Sequence, residues 1–310
     1  MRVSIKLIAI DIDGTLTPST GPQISARNRA ALQAAEAAGI EIVIATGRRQ
    51  AFAMPLVSQA GLNPASVMIS SNGAVVRRFD GDLLDRRFLP VETARELCTV
   101  LRGFGTMVFT FDHEGPGCLV IENFRRLHSR IERWVESNRP YLLEIQPLER
   151  AFDTGEEPIQ GMVCGTLEEM AAAEKQVLLS DVAGRIAMHR TEYAARNLCI
   201  LDLLPLGCSK GTALDSLARI RGLKREQIMA IGDNLNDLEM LEYAGTAVVM
   251  ANANQDVLTL AQLRGWQITA SNDEDGVALA VEELLSAVTR DAEGNQQDEI
   301  AENPMVEFAQ

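Results

Sequence analysis

Four stretches of this 310-residue chain hold residues whose types and spacing could do chemistry. Asp11-Ile12-Asp13-Gly14-Thr15-Leu16-Thr17 sets two carboxylates one residue apart, and Gly232-Asp233-Asn234-Leu235-Asn236-Asp237 adds two more. Thr46-Gly47-Arg48 offers a hydroxyl and a guanidinium, and Ser209-Lys210-Gly211 an ammonium group. Alone, the first stretch fits an Asx turn in which Asp11 or Asp13 caps backbone amides and Gly14 supplies the turn dihedral. The company it keeps argues for more. The acidic stretches and Thr46 each follow a short apolar run of strand type: Leu7–Ile10, Ile40–Ala45 and Ile228–Ile231. Open parallel sheets bind their ligands at the carboxyl ends of such strands. Carboxylates gathered on one edge repel by about 4 kcal/mol per close pair at a surface-like dielectric, so a cation must sit among them. The donors are all oxygen, with no neighbouring Cys or His, so the ion is hard, and Mg2+ suits a few carboxylates, water and a substrate phosphate. Lys210 opens a helix, where the macrodipole disfavours a cation unless it reaches an anion.

The elements that position these residues follow from periodicity. Ser25 caps an Ala- and Leu-rich helix that ends at Gly39, and the strand Ile40–Ala45 follows, a βαβ unit whose right-handed crossover brings Thr46 out near Asp11. A helix bent at Pro55, a strand over Val67–Ser70 and a hairpin over 74–88 come next, with Asn72-Gly73 as a tight turn. From Pro90 to Arg190 the order changes to helix, strand, strand, a helix over Phe124–Ser137, strand, strand, helix, strand, which predicts an inserted α+β domain with an antiparallel sheet. The first pattern resumes with a strand at Leu198–Leu203, the helix from Lys210, and the strand that ends at Gly232. The expected architecture is α/β: a Rossmann-like core over 1–88 and 191–290 and a cap over 89–190. An acidic tail over 291–310 has no apolar periodicity and is expected to be disordered.

Composition narrows the class. Apolar content of 46 % describes a soluble globular protein, and the net charge of −14 excludes nucleic acid or an anionic membrane as the main partner. The tail's six acids and no bases carry part of that charge, leaving −8 on the rest. The scattered cysteines Cys98, Cys118, Cys164, Cys199 and Cys208 form neither a zinc knuckle nor a disulfide framework. No run is long enough for a signal peptide or a membrane span, so a cytoplasmic location is expected. No exposed apolar stripe sets an oligomeric state. Gly103-Phe104-Gly105 lacks a third glycine, and Ser209-Lys210-Gly211-Thr212 has the wrong order for a P-loop.

The four stretches, in this order and at strand ends, resemble the motifs of the haloacid-dehalogenase-like phosphohydrolase superfamily. Ser71-Asn72-Gly73-Ala74, Met250-Ala251-Asn252-Ala253 and Asn272-Asp273-Glu274-Asp275-Gly276-Val277-Ala278 are similar to the Cof-type, subfamily IIB branch with a C2-type cap. The resemblance implies a Mg2+-dependent phosphatase of small phosphorylated metabolites, a sugar phosphate or a phosphoglycolate-like acid. Asp11 would attack phosphorus to form an aspartyl-phosphate, and Asp13 would act as general acid and base. Asp11, Asp13 through its carbonyl, Asp233 and Asp237 would hold the metal. Thr46, Gly47, Lys210 and Asn236 would hold the phosphoryl oxygens. Arg48 either reaches the substrate or is a solvated charge beside Arg49, and Asn72 is read as a ligand. In the cap, Arg125, Arg126, His128, Arg130 and Arg133 are read as a solvated helix face opposite Ile131 and Trp134. Gly14-Thr15-Leu16-Thr17 is closer to archaeal-type phosphoglycolate and sucrose-phosphate phosphatases, and Ala251 stands where Gly is usual, so the motifs do not name a substrate. The alternatives are a phosphomutase of the same branch and a non-catalytic phospho-ligand-binding regulator.

Overall fold

The computed structural model describes residues 4–105, 107–127 and 129–287. The chain starts with β1 (Leu7–Ile10), α1 (Ala26–Ala37), β2 (Glu41–Ala45), α2 (Gln50–Val57), β3 (Val67–Ser70), β4 (Val75–Arg78) and β5 (Leu83–Arg86). A second unit holds α3 (Val91–Val100), β6 (Val108–Thr110), β7 (Leu119–Ile121), α4 (Glu132–Asn138), β8 (Leu142–Glu144), β9 (Gln160–Gly165), α5 (Leu167–Leu178), β10 (Ile186–Tyr193) and β11 (Leu198–Pro205). The first unit is completed by α6 (Lys210–Arg221), β12 (Ile228–Gly232), α7 (Leu238–Tyr243), β13 (Thr246–Val249), α8 (Gln255–Arg264), β14 (Gln267–Ile268) and helical residues over 276–287.

Among the described residues the first sheet runs β14-β13-β12-β1-β2-β3-β4-β5, parallel through β3 and then antiparallel. Its central strands are apolar on both faces because helices cover both. Ile8, Ile10, Ile42 and Ile44 meet Leu32 and Ala35 of α1 and Val277 and Val281 of the last helix. Leu7, Ala9, Val43 and Ala45, alternating with them, meet Leu214 and Leu217 of α6. Ser25 and Ser209 accept from the amides of Asn28 and Thr212, which fixes where α1 and α6 begin. Asp11, Thr46 and Asp233 therefore leave adjacent parallel strands on one edge.

The second sheet runs β10-β11-β9-β6-β7-β8. It is antiparallel except that β7 and β8 pair parallel. One face packs Phe109, Val163, Leu201 and Leu203 against α3 and α5. On the other, α4 covers Val108, Leu119 and Ile121 with Trp134 and leaves the remainder turned toward the first sheet.

The structure corrects the domain boundary at 190. β11 belongs to the second sheet, between β10 and β9, so the cap runs through Pro205 and the core resumes at Ser209. An apolar run such as Leu198–Leu203 reads the same in the middle of either sheet. The connection decides it: only Ala194–Asn197 separates β10 from β11, whereas a parallel crossover needs about a dozen residues. The helix expected over Phe124–Ser137 is shorter. Leu127 is extended (φ −67°, ψ 139°), splitting the segment into 3-10 turns and α4, and its side chain joins Trp134 and Val135. The tail over 291–310, His128 and the side chains of Arg126 and Arg130 lie outside the described residues. No helix among the described residues is long and apolar enough to cross a membrane.

Candidate active site

The loop after β1 is held by backbone and side chain together. The amide of Asp11 donates to Ile231 O, continuing the β1–β12 ladder, and the amides of Leu16 and Thr17 return to Ile12 O. Gly14 takes φ +86°, where its missing side chain matters, because a Cβ there would lie 2.3 Å from Asp233 Oδ2. Thr15 Oγ1 donates to Asp233 Oδ1 at 2.7 Å, which locks the first acidic loop to the second.

Lys210, at the start of α6, is fully buried. Its Nζ donates to Asp11 Oδ1 at 2.6 Å and to Asp237 Oδ1 at 2.7 Å. Asp237 Oδ2 accepts from the amides of Asp233 and Asn234, at 3.0 Å each, so both Asp237 oxygens are engaged. Close approach of the loop after β3 to the start of α6 requires Gly73, at φ +99°, whose Cβ would fall 2.2 Å from Ser209 O.

Around this centre, Thr46 Oγ1 accepts from the Arg48 amide and its carbonyl accepts from Asn72 N. Arg48 grips Asp13 with both arms, Nε to Oδ2 at 2.7 Å and Nη2 to Oδ1 at 2.5 Å. Gly47 lies against the Asn72 amide group, 3.1 Å from where its Cβ would be. Asn72, in the left-handed region at φ 51°, donates from Nδ2 to Asp202 Oδ2 at 2.8 Å and accepts from Asn236 Nδ2 at 3.0 Å. Gln160 Nε2 takes the other Asp202 oxygen at 2.5 Å. Asn234 meets the backbone of Glu192 in β10, so hydrogen bonds from β11 and β10 tie the cap to the core.

A cavity of about 720 Å³ lies between the two sheets. Asp11, Asp13, Gly47, Arg48 and Asn236 form its core side, while Gln160, Met162, Trp134, Tyr193 and Asp202 are among its cap walls.

Burial dominates the electrostatics. It pushes Asp11 up to about 7, the nearby Lys210 charge opposing and the Asp237 and Asp13 carboxylates adding to the rise. Asp233 is raised well above the usual carboxylate range, first by burial and then by Asp11 and Asp237. Burial alone would lower Lys210, but Asp11 and Asp237 outweigh it and hold its pKa above that of an ordinary lysine. Asp202 is pushed up to about 6 by burial, with the hydrogen bonds from Gln160 and Asn72 opposing.

The donor set fits a hard divalent cation. Asp11, Asp233 and Asp237 place carboxylate oxygens within 4.8 Å of one another. Asp11 and Asp233 each spend Oδ1 on Lys210 and Thr15 and keep Oδ2 without a hydrogen-bond partner among the described residues. Gly14 keeps the space beside Asp233 Oδ2 open. An all-oxygen cluster of this kind suits Mg2+.

Asp11, Lys210, Asp233 and Asp237 thus meet directly. Asp13 pairs with Arg48 at the cavity wall, and Asn236, also on that wall, with buried Asn72. Thr46 is buried and pins its own loop. Of the cap residues read as a solvated face, Arg125 and Arg133 are exposed and Ile131 is buried, yet Arg133 also lines the cavity. The sequence reading passed over Thr15, Gln160, Tyr193 and Asp202. Asp202 had left a signal, an acid in the middle of an apolar strand, which is a costly place for a charge.

With this geometry in hand, comparison with known proteins is specific. Residues 8–281 match the family profile described as haloacid dehalogenase-like hydrolase. The chain is similar to the phosphatase YwpJ of Bacillus subtilis, 30 % identical over 91 % of this chain and 100 % of that protein. It is similar to the HMP-PP phosphatase of Serratia proteamaculans, 33 % identical over 88 % of this chain and 93 % of that one. It also resembles the solved structure of a sugar phosphatase of subclass IIB of the same superfamily. That likeness has a TM-score of 0.73 at 27 % identity and covers 90 % of this chain and 98 % of that one.

Proposed function

Because the chain belongs to the haloacid dehalogenase-like hydrolase family and is a phosphoric monoester hydrolase of phosphorylated small molecules, we propose a Mg2+-dependent phosphatase that works through an aspartyl-phosphate on Asp11. The observation that carries this reading is Asp11 itself. It stands at the end of β1 on the cavity wall, with one oxygen fixed by buried Lys210 and the other without a hydrogen-bond partner among the described residues.

In the first step an Asp11 oxygen bonds to phosphorus while the bond from phosphorus to the leaving oxygen breaks, and Asp13 gives that oxygen its proton. In the second, water attacks phosphorus, Asp13 takes the water proton, and the Asp11–phosphorus bond breaks. Arg48 holds Asp13 at the cavity wall, and one Asp13 oxygen must leave the guanidinium to carry the proton. Lys210 offsets negative charge on Asp11 and orients it. Asp237 anchors Lys210 and the amides of the loop after β12. Gly47 and Asn236 line the place for phosphoryl oxygens, and Thr46 and Asn72 keep that lining in shape. Asp11 and Asp233 would hold Mg2+, which when bound supplies charge neutralisation for the phosphoryl group. The substrate would be a sugar phosphate or a small phospho-acid, and the leaving group the sugar or the hydroxy acid. Five buried thiols agree with a reducing, cytoplasmic setting.

The test is phosphate release from a panel of sugar phosphates, phosphoglycolate and an aryl phosphate, with Mg2+ or with EDTA, for wild type and Asp13→Asn. Release that needs Mg2+ and falls about 10²–10⁴-fold in the variant is expected. Release indifferent to EDTA, or undiminished in Asp13→Asn, would overturn the mechanism.

A further inference from the structure

The cavity is larger than a two-carbon phospho-acid fills, and arginines line it in an acidic protein. Most arginines of the cap and the adjoining hairpin meet carboxylates: Arg77 and Arg86 meet Asp112, Arg95 meets Asp153, and Arg190 meets Glu174. Arg49 and Arg133 line the cavity, and neither has a carboxylate partner among the described residues.

Arg49 is held for some other purpose. Its guanidinium stacks on the Tyr141 ring, 4.1 Å from the centroid, and Nη2 reaches Asn138 Oδ1 at 3.4 Å. Its Nε, like those of Arg77, Arg78 and Arg190, is buried with no hydrogen-bond partner among the described residues, and a charged donor left so is costly. The residue also precedes the first turn of α2, the end of a helix where the dipole disfavours a cation. From the cap, α4 turns Arg133, Trp134, Ser137 and Asn138 toward the same cavity, the stripe that a helix brings to one side. Trp134, Ile131 and Met162 add apolar side chains to the same lining.

Building on the phosphatase reading, we infer that Arg49 and Arg133 form a second-anion site, so that the substrate is a phosphate monoester whose alcohol ends in another anionic group, a carboxylate or a second phosphoryl, across an apolar middle. The reacting phosphate sits at Asp11, and the far anion bridges Arg49 on the core side and Arg133 on the cap.

The test uses matched pairs that differ in the far group: 4-carboxyphenyl phosphate against its uncharged isostere 4-carbamoylphenyl phosphate, and fructose 1,6-bisphosphate against fructose 6-phosphate. Binding is measured by calorimetry with Mg2+ on the Asp11→Asn protein, in which turnover does not interfere. The charged member of at least one pair should bind about tenfold tighter or more. The pair that responds tells a carboxylate site from a phosphoryl site. Adding Arg133→Ala, an exposed position where folding is not at stake, or Arg49→Ala should bring the ratio close to one. Arg49→Lys keeps the charge without the stack and should retain part of it. A purely structural Arg49 would weaken both members alike. Equal binding in both pairs, or a preference that survives both alanine substitutions, overturns the site. Wild-type turnover separates this failure from that of the broader reading. Esters hydrolysed without charge preference overturn only the second-anion site. Charge preference in binding without phosphate release supports the site and counts against the phosphatase reading.

Discussion

The parallel sheet and the antiparallel sheet face one cavity but hold their functional side chains in opposite ways. On the core side, consecutive strands end on one edge, and the residues there are buried and bonded to each other: Lys210 to Asp11 and Asp237, Thr15 to Asp233, Asp237 to two amides. On the cap side the lining comes from alternate positions along strands and from one stripe of α4, with Tyr193, Ile200 and Trp134 only half-buried. The core is prearranged for one charge pattern, whereas the cap is a wall whose texture can change residue by residue without disturbing the ladder beneath it. On the proposed mechanism, chemistry belongs to the first kind of construction and substrate choice to the second.

That contrast breaks most readily at Lys210. Lys210→Met leaves Asp11 and Asp237 buried together without their counter-charge and should cost about 3–5 kcal/mol of stability, read from denaturant titration. A loss under about 1 kcal/mol would mean that the core edge is not held by charge.

The junction of the two regions gives a smaller, pH-dependent effect at Asp202. Its carboxyl is held at about 6 in the folded protein against 3.8 for an ordinary Asp. Between those values the folded state keeps a proton that the unfolded state has lost, so its contribution to stability is full below pH 3.8 and is lost as pH rises through about 6. Asp202→Asn cannot ionise. Relative to wild type, the variant should therefore gain about 2 kcal/mol on going from pH 4 to pH 7. A stability difference that stays flat with pH would place Asp202 in a wetter setting than the structure gives it.

The smallest effect is expected on the cap wall. Trp134→Ala should raise KM roughly tenfold while kcat moves little, because it removes contact with the leaving group and leaves the reacting atoms alone. A collapse of kcat would erase the division between the two regions.

The same division explains what could be read from the sequence. The core edge was legible because Asp11, Thr46 and Asp233 each come just after an apolar strand-type run and Lys210 opens a capped helix. Even there, the partners of Lys210 were not visible: an anion was expected, and in the structure the anions are Asp11 and Asp237. The cap was less legible because membership of a sheet is settled by long-range pairing. β11 looked like a core strand, and with it Asp202 went unnoticed, although the short turn before Leu198 already required a hairpin. Arg133 reads as solvent-facing by periodicity alone, and only the opposing sheet turns that face into a cavity wall.

The central claim is that Asp11 takes the phosphoryl group. It is tested most directly by mixing wild-type protein and Mg2+ with a radiolabelled phosphate ester that the protein hydrolyses, quenching in acid within one turnover, and mapping the label. The label should be on the peptide that contains Asp11, should be lost on treatment with hydroxylamine as an acyl phosphate is, and should be absent from Asp11→Asn. Rapid hydrolysis with no label on the protein at any quench time, or label on a different residue, would contradict the account.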